Sequence, residues 1–388
     1  MESLNKTVIS KHNKKTVLIN IINDKMSGIF AFSANDEYPI GTIVNARITK
    51  TVKNIGSSFL RYSEKNDGFI NKEIKSESLI PVILKKEPSN EKKALFSDKL
   101  SIEGDYCIVR ENEINILVSS KIPSEDALNI KKCFSEKFSE CNYGITVRTK
   151  AYSEENGIKM ALKEAEEFIN MLNEIHKNSP HRPSYTIFYT PEPEIIKAVK
   201  SGIRAGIKEI ITDDKEIFEL LNDCFNKQAL GLFAAKEINI RFYEDNLLPL
   251  CKLYSFDAKI SEVLSRKINL KSGAYITFDN TEALTAIDVN TSKSASAKSS
   301  KEDMFLAINL EACKEIFRQI KLRNISGNIL IDFINMETPE SYEILKHEID
   351  SLIKQDEVST KFYGFTGLKL AEISRQKKRS SFYRCYKG

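Results

Sequence analysis

Residues 284–290 read LTAIDVN and residues 328–334 read NILIDFI. Each is an apolar, β-branched run interrupted by one acid, Asp288 in the first and Asp332 in the second. Runs of this length and composition read as strands. On either side, AYITFD (274–279) and KFYGFT (361–366) read the same way, and the spacing of apolar residues predicts helices over 303–323 and 339–354. In the first helix Leu306, Leu310, Cys313, Phe317 and Ile320 share a face, and Asn324 to Gly327 supply its stop. The second presents Tyr342, Leu345, Ile349 and Leu352. Strands alternating with helices predict a layered α/β domain over about the last 120 residues.

A charge inside an apolar run is expected to be buried or half-buried. There it survives if it is paired, hydrogen-bonded or bound to a cation, and the first base after Asp288 is Lys293. Asn290 lies two residues beyond Asp288, so strand alternation puts both side chains on one face. Two carboxylates and an amide are hard oxygen donors. They suit Mg²⁺, or Mn²⁺ in its place, and not zinc, which wants His or Cys. The next segment, TSKSASAKSSK, brings Lys293 and Lys298 beside the acids as candidate phosphate contacts. A hydrated divalent ion, an amide to orient water and lysines for phosphate make a phosphodiester hydrolase. The plainer alternative is two solvated acids at strand ends.

Upstream, TIVNARITKTV, SSFLRY, DGFI, LIPVILKK and DYCIVR are short strand-like pieces separated by turn residues. Five of them in so short a span predict a closed barrel of the OB type over 40–118. Its surface is expected to display Phe59, Tyr62 and Phe69 near Arg61, Lys92 and Lys93, rings between cations, as a single-stranded nucleic-acid platform requires. Residues 119–182 read as a small α/β domain. There the strand YGITVRT lies between two amphipathic helices, the second with Ile158, Ala161, Ala165, Phe168, Ile169 and Leu172 in one stripe. NSPHRPS then marks a boundary, and a further α/β stretch runs to 265. The last fifteen residues hold six Lys or Arg and no acid, so the net charge of +4 is local to that end.

With 388 residues, 41% hydrophobic and 29% charged, the chain has material for several cores. No apolar run reaches the length of a membrane helix and MESLNKTVISKHNKK lacks the apolar stretch of a signal peptide, so a cytoplasmic protein without membrane association is expected. The seven cysteines are scattered without a CxxC pair, which argues against a disulfide framework or cysteine-held zinc. Neither a GxGxxG turn nor a Walker A loop is present.

EALTAIDVNTSK, the helix containing NLEACKEIFRQIKLR, GNILIDFINM and LAEISRQKKR together resemble the catalytic half of the ribonuclease E/G family. KTVLIN, DGFINKEI, LIPV and YGITVRT extend the resemblance upstream in the same order. It implies an α/β and α+β multidomain chain. An RNase H-like fold over 15–39 plus 183–265 would be interrupted by the OB-fold barrel (40–118) and a 5′-sensor domain (119–182). A DNase-I-like catalytic domain (266–373) would follow, with a flexible basic lead (1–14) and a basic tail (374–388) at the ends. The implied activity is Mg²⁺-dependent endonucleolytic cleavage of single-stranded RNA, leaving 5′-phosphate ends. Asp288 and Asp332 match the family's metal-binding aspartates and Asn290 the amide beside them. Arg148 and Thr149 match the pocket for a 5′-monophosphate. Phe59 and Phe69 match the barrel aromatics that contact RNA. Asn335 stands where the family often has an acid, and the CPxC zinc link is absent. These departures keep open an alternative, an RNA-binding protein with weakened cleavage. They leave a homodimer possible only without the zinc bridge, and no scaffold region for degradosome partners is expected.

Overall fold

The computed structural model describes residues 5–32, 38–88, 93–111, 113–139, 141–226, 238–245, 247–291, 301–377 and 379–387. It divides into two compact units, Met1–Ala34 with Glu194–Gly388, and Asn35–Pro193.

The first unit holds two sheets. One is built from a three-strand meander, Lys6–His12, Lys15–Ile22 and Lys25–Phe32, extended by Glu209–Thr212 and Asn239–Phe242, both parallel to the first strand's side of the sheet. Helix Glu194–Arg204 ends at Gly206, whose φ of 97° suits the left-handed turn. The segment expected to be a flexible basic lead is therefore mostly strand. Thr7, Val8, Ile9 and Ser10 are all buried, because the strand is paired on both edges and Val8 enters a core on one face of the sheet while Ile9 enters a core on the other. The basic end is likewise folded. Ala371–Arg375 is an inner strand of the second sheet, and helix Phe382–Lys387 packs Phe382 into the core of the first. Tyr386 stacks on Phe382, and Arg379 lies over the Phe30 ring, so these side chains are committed internally.

The second sheet has six strands in the order Lys267–Asn269, Tyr275–Asn280, Leu284–Asn290, Gly327–Asp332, Ala371–Arg375 and Thr360–Phe365. Leu284–Asn290 and Gly327–Asp332 are parallel, joined by the crossover helix Lys301–Arg323. One face of the sheet carries Ile276, Phe278, Ile287, Val289, Ile329, Ile331 and Ile373 into a core with Ala312, Cys313, Ile316, Phe317 and Ile320 of that helix and Leu345 and Ile349 of helix Pro339–Lys354. The opposite face bears Asp288 and Asp332, both exposed. A buried ion pair, Arg375 with Asp356 at 2.8 Å, ties the strand to the end of the second helix, and Arg375 also donates to Asn324 Oδ1 and the Ile325 carbonyl.

In the second unit, Ile43–Val52, Ser57–Arg61, Asp67–Ile70, Ala94–Ser97 and Leu79–Lys86 form a five-strand barrel closed by pairing of the first with the last. The expected fifth strand, DYCIVR, is not part of it. Cys107–Glu111 pairs with Ser101–Glu103 and Tyr143–Val147 in a separate four-strand sheet backed by helices Ser124–Lys137 and Gly157–Asn178. ALFS, too short to signal a strand alone, closes the barrel instead.

Candidate active site

Asp288 and Asp332 are register partners across the parallel ladder. Their Cα atoms therefore lie one strand spacing, about 4.8 Å, apart with side chains on the same face. Asn290, on that face, donates Nδ2 to Asp288 Oδ2 at 2.5 Å. The expectation that these acids are buried is corrected. Period-two alternation sends Ile287, Val289, Ile329 and Ile331 into the core and leaves the acids on the open face. NILIDFI looked continuously apolar because half-buried Leu330 shares the open face and Phe333 and Ile334 begin the loop beyond. What remains costly is two like charges side by side. Partial desolvation, and then the charge of Asp288, push the Asp332 carboxyl above its ordinary value. Among the described residues no group of three His, Cys, Asp or Glu gathers, and those described at this place offer two carboxylates and the Asn290 amide. Such a hard, open set fits a hydrated divalent cation.

The same face continues sideways. Thr277 is opposite Asp288 and Tyr275 is opposite Asn290, with the Lys267 ammonium 3.6 Å from the Tyr275 ring centre. Below the acids, residues 333–338 are fastened by side chains. Asn309 bonds both the N–H and the carbonyl of Ile334. The Glu302 carboxylate accepts from the N–H groups of Glu337 (2.9 Å) and Thr338 (3.1 Å), which hold its pKa down at about 2. Asn335 is exposed. Lys293 and Lys298 lie outside the described residues.

On the barrel, Phe59 and Phe69 are half-buried register partners, and Lys50 and Leu95 extend their row on either side. Lys93 sits 5.4 Å over the Phe59 ring and 3.7 Å from Asp67. The next row holds Arg47, Arg61 and Asp67, so rings and cations alternate across one face. Tyr62 is not displayed. It is buried against Tyr38 and Phe96, because it follows Arg61 and points inward. Lys92 lies outside the described residues. Sequence reasoning missed Lys50 and Leu95, which become neighbours of the rings only through strand register.

Arg148 and Thr149 sit where strand Tyr143–Val147 runs into a short helix. Arg148 Nη1 donates to the Gly104 carbonyl at 2.6 Å, and the Thr149 hydroxyl meets that of Ser119 at 2.8 Å. Beside them Lys150 pairs with Asp105 at 2.6 Å and lies over the Tyr106 ring. The loop is fixed from behind by Glu164, whose carboxylate accepts from the N–H groups of Asp105, Tyr106 and Cys107. The Arg148 guanidinium is thus tied to the loop that Glu164 braces, while the Thr149 and Ser119 hydroxyls pair with each other. Ser119 was not foreseen, since it is distant in sequence and arrives by the parallel pairing of Ile116–Val118.

The family model of the Ribonuclease E/G family matches residues 101–378. The chain belongs to that family. It is 26% identical over 372 residues to Ribonuclease E of Buchnera aphidicola subsp. Schizaphis graminum, covering 90% of this chain and 38% of that protein. To the Putative ribonuclease E of Buchnera aphidicola subsp. Baizongia pistaciae it is 27% identical over 361 residues, 86% of this chain and 85% of the relative. To Ribonuclease G of Haemophilus influenzae it is 25% identical over 368 residues, 88% and 73% respectively. The span matched therefore ranges from little more than a third of a relative to most of one. Among the described residues no helix is long and apolar enough to cross a membrane.

Proposed function

We propose that the chain is an endoribonuclease that cuts single-stranded RNA with a divalent metal ion, Mg²⁺ by preference, and leaves 5′-phosphate ends, acting in RNA processing or decay in the cytoplasm. The observation that carries this reading is the register pairing of Asp288 with Asp332 on an open sheet face, Asn290 beside them. Bound there, a divalent ion supplies an activated water and neutralises charge on the scissile phosphate. Asp288 and Asp332 hold it, which relieves their mutual repulsion. Asn290, through its amide, orients water toward phosphorus. The barrel row of Phe59 and Phe69 flanked by Lys50 and Lys93 stacks bases and meets phosphates, without sequence preference, as every base has a π-face. Arg148 and Thr149 with Ser119 grip a terminal 5′-phosphate through a guanidinium fork and hydroxyls. In this reading the meander sheet with its two parallel additions is the RNase H-like part, the barrel the OB-fold, the four-strand sheet the 5′ sensor, and the six-strand sheet the DNase-I-like catalytic part.

Cleavage of 5′-monophosphorylated single-stranded RNA with Mg²⁺, with EDTA, and with Asp288→Asn tests it. Cleavage by the wild type alone, and only with Mg²⁺, supports the reading, and equal, metal-independent behaviour of both proteins overturns it. A second reading, an RNA-binding protein with weakened cleavage, is favoured by one feature, the amide of Asn335 where relatives of this pattern often carry an acid.

A further inference from the structure

The ladder around Asp332 is one-sided. On the parallel side the register runs from Leu284 opposite Asn328 to Asp288 opposite Asp332, whereas the antiparallel neighbour stops at Ile331 opposite Ala371. Asp332 is thus the last strand residue, and no ladder fixes the chain beyond it. The direction of a terminal strand residue depends on what holds the next residues.

Asn309 holds them. It lies in helix Lys301–Arg323 at 0% exposure, in line with the core residues Ala312, Cys313 and Ile316. Its Nδ2 donates to the Ile334 carbonyl at 2.8 Å, and its Oδ1 accepts the Ile334 N–H at 3.0 Å. One side-chain amide so reproduces the two bonds of a ladder pair. The clamp continues. Tyr342 accepts the Met336 N–H at 3.3 Å, Lys369 donates to the Met336 carbonyl at 3.0 Å, and Glu302 takes the N–H groups of Glu337 and Thr338. Phe333 and Met336 are buried in the core between these ties. A buried amide in an apolar stripe is unfavourable unless both its ends are satisfied, and here both are spent on one residue, two positions past an acid.

We propose that Asn309 is a positioning residue for Asp332: as a surrogate strand it fixes the exit of Gly327–Asp332 and so aims the second carboxylate at the ion shared with Asp288, with Glu302 anchoring the following turn. The inference rests on the proposed reading of that pair as a metal site. The test is titration of Mn²⁺ into the full chain, read by the EPR signal of free Mn²⁺, on wild type, Asp288→Asn, Asn309→Leu and Asn309→Asp, each checked for folding by circular dichroism. Leu keeps the branching at Cγ, is somewhat larger and favours the helix more, but loses both bonds. Asp keeps the acceptor and loses the donor. Losing an outer partner of a metal ligand weakens the metal by about 10–100-fold. That loss is expected for Asn309→Leu, a smaller one for Asn309→Asp, and raised Mg²⁺ should restore cleavage by both, which a merely unfolded site would not allow. If wild type shows no Mn²⁺ site that Asp288→Asn removes, the metal reading itself fails. If wild type binds and folded Asn309→Leu binds equally well, only the positioning role falls. Should Asn309→Leu not fold, Asn309→Asp decides, and wild-type Mn²⁺ affinity in that variant overturns the proposal.

Discussion

Removing one charge from the acidic pair should have opposite consequences with and without metal. Asp288 and Asp332 face each other directly across a ladder, and like charges so placed destabilise a sheet by about 0.2–1 kcal/mol. Both are exposed, so solvent screening keeps the effect at that modest level. The sign follows from the Asp332 carboxyl, whose pKa is raised in the folded protein by partial desolvation and by Asp288. Its penalty is absent at pH values where Asp332 is protonated in both folded and unfolded chains and is complete once pH has risen through the raised folded value. In EDTA at pH 7, Asp288→Asn should therefore melt slightly higher than wild type, by no more than a few degrees for a unit of this size. With Mg²⁺ at about ten times its dissociation constant, wild type gains roughly 1.4 kcal/mol by mass action and the variant does not. The order of melting temperatures should reverse. Scanning calorimetry of both proteins in EDTA and in Mg²⁺ measures this directly. An Asp288→Asn variant that melts lower than wild type in EDTA, or that gains as much from Mg²⁺, refutes the idea that the two acids repel each other and share an ion.

Phe59→Ala should weaken binding of a short single-stranded oligoribonucleotide by about 1–3 kcal/mol, the worth of one base–ring stack, in fluorescence anisotropy, while Tyr62→Phe, at a buried position, leaves affinity unchanged. Arg148→Ala should abolish the preference for 5′-monophosphate over 5′-hydroxyl RNA in a competition cleavage assay and leave cleavage of the 5′-hydroxyl substrate intact; an unchanged preference removes Arg148 from the sensor. Arg375→Met strands Asp356 in the core and should cost about 3–5 kcal/mol in urea denaturation at pH 7. Burial pushes the Asp356 carboxyl up, but the bonds and charge of Arg375 outweigh it and leave the group below its ordinary value, so the pair's contribution is present above about pH 4 and lost as pH falls further. The difference between wild type and Arg375→Met should accordingly shrink in acid.

Much of the six-strand sheet was legible because its signals are local. LTAIDVN and NILIDFI are strands with their acids at matching depth, and the helix between them is long enough to make them parallel neighbours. Burial of those acids was misread because composition reports what surrounds a residue along the chain, whereas exposure depends on which face it takes. Barrel closure was misassigned for a related reason. DYCIVR has a stronger strand signature than ALFS, but Ala94–Ser97 is the segment placed to bridge Asp67–Ile70 and Leu79–Lys86. The two chain ends were expected to be a flexible basic lead and a basic tail. The apolar pair Val8 and Ile9 was too short a run to outweigh the lysines around it, and Phe382 and Tyr386 show their role only once the first sheet offers them a surface. Asn309 carried a readable signal, an amide in an otherwise apolar helical stripe, though nothing in sequence identifies Ile334 as its partner.

An exposed pair of acids is common on protein surfaces, and exposure alone would make Asp288 and Asp332 unremarkable. Three features separate them from a solvated pair. They are adjacent in register, and the charge of Asp288 adds to the cost of ionising Asp332. They lie toward the carboxyl ends of the two parallel strands of an open sheet, the place where ligands of such sheets gather because crossover connections leave a crevice there. And the chain beyond Asp332 is fastened by the buried Asn309 amide and, at the surface, by Glu302, an ordering that a freely solvated acid would not require. Repulsion held in place by rigid neighbours is a configuration that a divalent cation stabilises and that little else would. That is why the electrostatics of this face, more than the depth of its acids, points to metal-assisted chemistry.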